Sequence, residues 1–548
     1  MHVKWGKAKQ PSPIFFMSKE NKTLQKIDKA MAKGDYNLAI ENLNSLLKIK
    51  PADIKFLMKR GEAYLRNENF EQGLVDLAKV VEADNKNITA LVNSSVALIR
   101  CNMQIDAKPV LEYVLELDPS NFDAHINLCN IYQSLGKSEE CLKLSVKAIE
   151  LRPNSMTAYN NLGTAFGDLN MIKEAREALS IAHQIDSTYT TTAINLAQIE
   201  VKLGNYSEAM QLYEKLLLLK NLTSAETDLI RYYLSYCYLH LGKLPEGWDN
   251  YEYGSGSLLP GTAYRSKRKF IQPKWNGERI EGKTLLIWRE QGLGDEIEFS
   301  TCLTDVYEMG ISVILECEPR LVGLYQRTFP SFFVRPESIK DNFYPIADDF
   351  DIQCAVGSLP RLFRRDIQSF ERKIIPLKIQ DESIRDFNNR LNKYAGKKIV
   401  GICWRSGVFS IGRNLNYTAL IDWSSLLTQS DYQFVNLQYG DCENELLEIE
   451  QSLGISILRW DDLDLKNDLE NLFGLIKNLD AVVTVGTAVS SIAASCNIPT
   501  YLLIKPSWLM LGQKNNYPWY SCVIPLVAEN NTHIAEKINL IPEFISKQ

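Results

Sequence analysis

Small and large apolar positions recur along the first 221 residues with a fixed period of 34. The small set is Ala39, Gly73, Ala107, Cys141, Ala175 and Ala209, and a large apolar residue follows four positions later at Leu43, Leu77, Leu111, Leu179 and Tyr213, with Ser145 the exception. An i, i+4 pair lies on one face of an α-helix, so each unit carries a close-approach point and a bulky neighbour one turn on. Turn-type residues close the units at Pro51, Asn85, Pro119, Pro153, Ser187 and Asn221, and breaks fall midway at Gly34-Asp35, Glu68-Asn69, Asn102-Met103, Gly136-Lys137, Asn170-Met171 and Gly204-Asn205. The pattern predicts helix-turn-helix units that stack into one continuous core, because a single helix pair cannot bury its apolar face alone. After Asn221 the period slips. Residues 225–254 form a longer, aromatic-rich pair whose Trp248, Tyr251 and Tyr253 are expected to bury the end of the stack against the next part of the chain.

From residue 283 the pattern changes to short β-rich runs separated by helix-length segments. Strands are expected at Thr284–Trp288, Ile311–Glu316, Ser331–Val334 and Asp351–Ala355, with a helix over 296–308. A second cluster has strands at Lys398–Cys403, Gln433–Leu437, Ile455–Leu458, Ala481–Val485 and Thr500–Ile504, with helices near 418–428, 442–453, 468–477 and 488–496. Such alternation argues for parallel sheets covered on both faces. Two clusters imply two α/β lobes across a cleft, with ligands beyond the carboxyl ends of the strands. The Gly- and Ser-bearing stretch between solenoid and strands, with its basic SKRK at 266–269, is a linker with a solvated charged face.

Composition adds boundaries. The 548 residues are 45% hydrophobic and 23% charged with a formal charge of -6, which is globular and gives no electrostatic reason for a nucleic-acid or membrane-surface partner. No run approaches the ~20 apolar residues of a bilayer crossing, and the opening segment lacks the apolar core of a signal peptide; a cytoplasmic location is expected. The 11 cysteines show no C-x-x-C pair, and buried free thiols are expected, Cys129 and Cys141 among them. Asp462-Leu463-Asp464 spells D-x-D but lacks histidine company, so no metal site is expected there.

Three strand-following loops carry the candidate chemistry: Trp288–Phe299, Trp404–Asn414 and Val485–Thr500. In the third, Thr487, Ser490 and Ser491 open a helix, and helix-terminal N–H groups make an anion site. Arg405 and Arg413 on the second, with Ser406 and Gly407, supply a phosphate clamp. Gln438, Tyr439 and Asp441 follow another strand and are placed to touch the base or ribose of a nucleotide; Lys505 and Trp508 follow the last. Of the five histidines only His533 lies in this half, so a general base here is expected to be a carboxylate. In the first half, Asn93, Asn127, Asn161 and Asn195 recur at spacing 34 in the first helix of four units. Asparagine is a mediocre helix former, and two roles are open: gripping the backbone of an extended peptide, or bonding between adjacent repeats.

The repeats resemble the tetratricopeptide repeat, with Gly163 and Tyr206 on two of its signature positions. WREQGLGDEI, WRSG, VNLQYGDCENEL, the stretch DDLDLKNDLENLFGLIKNLDAVV, VGTAVSSIAASCNIPT and NNYPWY resemble the catalytic module of bacterial tetratricopeptide glycosyltransferases, relatives of the heptosyltransferases and, more distantly, of the O-linked N-acetylglucosamine transferases. The resemblance implies an α + α/β chain: a 1–19 tail, a 20–254 solenoid, a 255–275 linker, a first GT-B lobe over 276–390 on the acceptor side and a second over 391–548 on the nucleotide-sugar side. It implies a metal-independent glycosyltransferase without a cofactor, a nucleotide-sugar donor and a protein acceptor; some members modify flagellin with CMP-linked nonulosonic acids. It makes Asp295 of the G-D motif the catalytic base, flanked by Glu290 and Glu296, whose like charges would raise a pKa; capping the following helix is the other role open to Asp295. In the O-linked N-acetylglucosamine transferases a similar asparagine ladder holds substrate protein. The chain departs from the family where Gly486 replaces an aspartate and Ser491 a histidine, which leaves a non-catalytic protein-binding scaffold with a degenerate module as the alternative.

Overall fold

A computed structural model describes residues 13–220, 222–255, 268, 270–338, 348–406, 417–528 and 533–546. The chain divides into two compact units, Met1–Thr192 and Ala193–Gln548. The division thus falls inside the repeats, and the last helices of the solenoid form one unit with the α/β module.

The helices are α1 Pro13–Lys33, α2 Tyr36–Leu47, α3 Ile54–Arg66, α4 Phe70–Ala83, α5 Ile88–Arg100, α6 Gln104–Leu117, α7 Phe122–Ser134, α8 Ser138–Leu151, α9 Met156–Asp168 and α10 Ile172–Ile185. They continue as α11 Thr190–Leu203, α12 Tyr206–Leu216, α13 Ser224–His240 and α14 Leu244–Tyr251. The turn inside each pair has one residue with positive φ, at Gly34, Glu68, Asn102, Gly136, Asn170 and Gly204, again 34 apart. Three of the six are not glycine, so the left-handed turn is imposed by the helix packing on either side. First helices start on caps with the same period: Asp53, Asn87, Asn121 and Ser155 accept N–H bonds from the first turn. The small residues lie at helix crossings. A Cβ on Gly163 would sit 2.5 Å from Leu179 Cγ. The slip after α12 is an insertion of four: the positive-φ turn moves to Gly242 and the close-approach residue to Gly247.

One expectation fails in the first unit. Cys129 and Cys141 are joined as a disulfide across α7 and α8. Both occupy close-approach positions of one helix pair, with Cα atoms 4.3 Å apart, a proximity that their spacing in sequence hides.

In the second unit, β1 Thr284–Trp288, β2 Ser312–Cys317, β3 Phe333–Pro336 and β4 Ile352–Ala355 form a parallel sheet in the order β3-β2-β1-β4. β5 Lys398–Cys403, β6 Tyr432–Asn436, β7 Ile457–Leu458, β8 Ala481–Val485, β9 Thr500–Ile504 and β10 Val523–Val527 form a second, in the order β10-β9-β8-β5-β6-β7. All pairs in both sheets are parallel. Helices α15 Leu293–Phe299, α16 Leu303–Glu308, α17 Val322–Thr328, α18 Leu359–Phe363 and α19 Asp381–Leu391 follow the first set of strands. Helices α20 Ser424–Leu427, α21 Glu443–Leu453, α22 Leu469–Ile476 and α23 Ala488–Ser495 accompany the second. The helix expected over 296–308 is α15 and α16 with a 3₁₀ turn between them.

The last solenoid pair is welded to this module. Trp248 and Tyr251 are fully buried, Trp248 Nε1 donates to the Arg364 carbonyl at 2.9 Å, and Tyr253 stays 37% exposed. Tyr206 stacks on His240 and donates its hydroxyl to the Pro506 carbonyl at 3.1 Å. Backbone meets backbone where a Cβ on Gly512 would lie 2.7 Å from Gly242 Cα. No described helix is long and apolar enough to cross a membrane.

Candidate functional site

In each sheet the strand order reverses beside the first strand, between β1 and β4 and between β5 and β8. The loops leaving those strands diverge there, at the carboxyl ends, which is where open parallel sheets take their ligands. The helices leaving the two switch points abut: a Cβ on Gly294, at the start of α15, would lie 3.5 Å from Ala488 Cα, the first residue of α23. Two helix mouths from two sheets therefore face one another.

The α15 mouth is rich in carboxylates. Its N-cap is Gly292, and Asp295 is the third helical residue, half-buried, with Oδ2 3.3 Å from the point that a Gly292 Cβ would occupy. The carboxylate thus curls back over its own first turn, where the helix dipole favours negative charge. Glu290 is buried in the loop after β1, against Gly357, whose missing side chain leaves room for its carboxylate. Glu296 is turned to other partners: Arg289 at 2.8 Å and the Glu318 N–H at 3.1 Å. Its pKa is pushed up to about 7 by burial first, opposed by Arg289, with the like charge of Glu318 a smaller addition. Arg289 also pairs with Glu318 and Glu337.

Sequence reasoning does not single out Glu298, one turn beyond Asp295. It is 3% exposed, and its Oε1 accepts from Ser491 Oγ of α23 at 3.0 Å and from the Tyr517 hydroxyl at 2.9 Å. Burial pushes its pKa up to about 8, the two hydroxyls oppose the shift, and the Asp295 charge adds to it. The signal that could have found it is the spacing: i+3 from Asp295 puts Glu298 on the same side of the helix.

The α23 mouth has hydroxyls and small residues. Thr487 is its N-cap and makes no side-chain cap bond, whereas Ser490 Oγ donates to the Thr487 carbonyl at 2.6 Å. Gly486 is exposed, and a Cβ there would meet none of the described residues within 4 Å. Ser491 is spent on Glu298. Arg405 is buried and tied to Glu445, with Nε to Oε1 at 3.0 Å, and Nη2 donates to the Asp441 carbonyl at 2.7 Å. Gln438 is a backbone staple: its Oε1 accepts from Arg405 N at 2.9 Å and Trp404 N at 3.2 Å. Tyr439 and Ser406 hydroxyls lie 3.4 Å apart. A cavity of about 300 Å³ beyond β6 and β7 is lined by Tyr439, Asp441, Arg459 and Trp460 among others. Lys505 is half-buried past β9 and has no hydrogen-bond or ion-pair partner among the described residues. Trp508 is half-buried and packs near Tyr236 and Trp248; Trp519 is core. Gly407 and Arg413 lie outside the described residues. Asp462 pairs with Arg390 at 2.7 Å, and Asp464 accepts N–H bonds from Lys466 and Asn467 that close a turn.

The asparagines divide. Asn93 and Asn127 are half-buried, and their amides have no partner among the described residues. Asn161 is 3% exposed and donates to Asn130 Oδ1 of the preceding repeat at 2.8 Å, so bonding between adjacent repeats describes this member. Asn195 belongs to the second unit, half-buried on α11.

Comparison with known proteins agrees with the solenoid. A tetratricopeptide repeat model matches residues 122–155 and 191–221. The chain is 27% identical over 451 residues to protein FlbA of Caulobacter vibrioides, covering 78% of this chain and 74% of that one. It is 24% identical over 182 residues to the human protein O-mannosyl-transferase TMTC3, covering 30% of this chain and a fifth (20%) of that protein. Among solved structures, a MamA crystal structure matches 31% of this chain at 23% identity with a TM-score of 0.28. The class defined is a tetratricopeptide solenoid joined to parallel-sheet α/β lobes. Within it, the similarity to FlbA extends over most of both chains.

Proposed function

We propose that this chain is a glycosyltransferase of GT-B architecture that moves a sugar from a nucleotide-sugar donor to a hydroxyl of a protein acceptor. The single observation that carries the reading is the abutment of the two helix starts at the switch points, one offering carboxylates and the other a helix terminus with hydroxyls.

Asp295 takes the proton of the acceptor hydroxyl as its oxygen attacks the anomeric carbon. The bond from that carbon to the phosphate oxygen breaks, and the nucleotide leaves as an anion. The N–H groups opening α23 beside Thr487 and Ser490 receive that anion, and Lys505 adds charge. The cavity beyond β6 and β7 suits the base and ribose, with Tyr439 and Asp441 at its wall. Arg405 and Gln438 act by holding the loop after β5 in place, and Glu290 packs behind the Asp295 loop. The solenoid holds the acceptor, with the amides of Asn93 and Asn127 available to a peptide backbone. The finer reading is a nonulosonic acid delivered from a CMP-linked donor to flagellin serine or threonine.

A second reading rests on the internal commitments of Arg405 and Ser491: a binding-only scaffold whose module has lost its donor site. Nucleotide release from CMP-, UDP- and GDP-linked sugars, with and without protein acceptor, separates the two. A transferase gives acceptor-dependent release of one nucleotide; a scaffold gives none.

A further inference from the structure

Glu298 joins the two lobes at the point where their helix mouths meet. It stands on α15 with the first sheet, and both groups that bond it come from elements of the second: Ser491 on α23 and Tyr517 on the segment between β9 and β10. The same segment reaches α15 once more, where the Tyr520 hydroxyl donates to the Ile297 carbonyl at 3.0 Å. Oε2 of Glu298 is buried and has no hydrogen-bond partner among the described residues. Two hydroxyls thus converge on one oxygen while the other has none.

The groups that face this carboxyl are acidic or neutral. Asp295 acts on it from its own helix; from the second lobe come Ser491, the phenols Tyr517 and Tyr520, and the thiol Cys522. Among the described residues, no arginine, lysine or histidine is one of the groups acting on it. A buried carboxylate with one bare oxygen and no cation is costly, and the neutral acid is the cheaper occupant.

We propose that Glu298 is the positioning residue of the transfer site: its clasp on Ser491 and Tyr517 holds the helix that bears Asp295 against the helix that receives the donor. This rests on the transferase reading and assigns Ser491 to the clasp rather than to the donor. It also gives the site a protonation requirement. As the neutral acid, Glu298 accepts both hydroxyls without burying a charge; ionised, it faces Asp295 with no compensating cation, and the two mouths separate. Glutamine keeps the shape, keeps an accepting oxygen and cannot ionise.

The test compares wild type, Glu298→Gln and Glu298→Ala in the full chain by two readouts. The first is hydrogen exchange of α15 and α23 across neutral to alkaline pH, which needs no turnover. The second is kcat and donor KM for sugar transfer over the same range. Expected are loss of protection at both helices in wild type as pH rises through about 8, absence of that loss in Glu298→Gln, and kcat in Glu298→Gln within about threefold of wild type near neutrality. Glu298→Ala should lower kcat by about tenfold or more with donor KM little changed, since misplacement of a base costs rate rather than binding. An alkaline loss of protection identical in wild type and Glu298→Gln overturns the clasp. Absence of any transfer with the protection pattern as expected leaves the clasp standing and overturns the transferase reading. Should Glu298→Ala not fold, Glu298→Gln alone decides.

Discussion

Helices α15 and α23 begin in the same way, each leaving a strand beside the reversal point of a parallel sheet, yet their first turns have opposite chemistry. α15 brings Asp295 and Glu298 in seven residues; α23 brings Thr487, Ser490 and Ser491 in a run without a charge. A helix N-terminus attracts anions. Where the chain supplies its own carboxylate, that attraction is already met and the mouth suits proton transfer. Where it supplies hydroxyls and an open glycine, the attraction remains for a ligand. One backbone motif used twice thus presents two opposite chemistries, the contrast on which the proposed transfer rests.

The largest expected effect breaks this contrast on the carboxylate side. Asp295→Asn keeps size and removes basicity, and transfer should fall by about a thousandfold with donor binding by calorimetry preserved; a full transfer rate would exclude Asp295 as base.

The next sharpens it through stability. The folded-state pKa of Glu298 lies above its ordinary 4.5, at about 8, so its contribution is present in full below the ordinary value and is lost as pH rises to the folded one. Denaturation of wild type should therefore lose stability over that interval relative to Glu298→Gln, while Glu296, raised to about 7, gives a same-signed slope in both. A parallel course would contradict the burial of Glu298.

A smaller effect lies in the solenoid. Asn161→Ala removes the bond to Asn130 and should cost about 1 kcal/mol of stability, whereas Asn93→Ala and Asn127→Ala should cost less and instead weaken acceptor binding. Smallest of all is Gly294→Ala. Its Cβ would lie 3.5 Å from Ala488 Cα, an ordinary contact, so the unfolding free energy should change by less than about 0.5 kcal/mol. A larger loss would mean that the two mouths leave no room for a methyl group.

Much of this is legible in the sequence, for different reasons in each region. The repeat helices follow from a 34-residue register in which packing, turns and caps agree. The positions of β1, β4, β5, β8 and β9 follow from apolar runs bounded by turn residues. β10 is not expected, because Pro525 sits at its centre; it is tolerated because β10 is an edge strand of its sheet. The site is only half legible. Asp295, Thr487 and Ser491 are candidates because they lie in strand-following loops, but Glu298 is bonded to a partner 193 residues away, and no local pattern reports such a pairing. Gln438 and Arg405 are expected on the donor and instead hold backbone and loop, since sequence shows which side chains can bond and not which bonds the fold has already used.

The most direct test of a donor site at the α23 mouth is calorimetry of nucleotide sugars on wild type and Gly486→Trp. A Cβ at Gly486 meets none of the described residues within 4 Å, so the indole should enter the space before the α23 mouth without disturbing the fold. Wild type should bind one nucleotide sugar saturably, and Gly486→Trp should lose that binding at unchanged melting temperature. Equal affinity in both proteins, or no nucleotide-sugar binding by wild type, would contradict a donor site at this mouth.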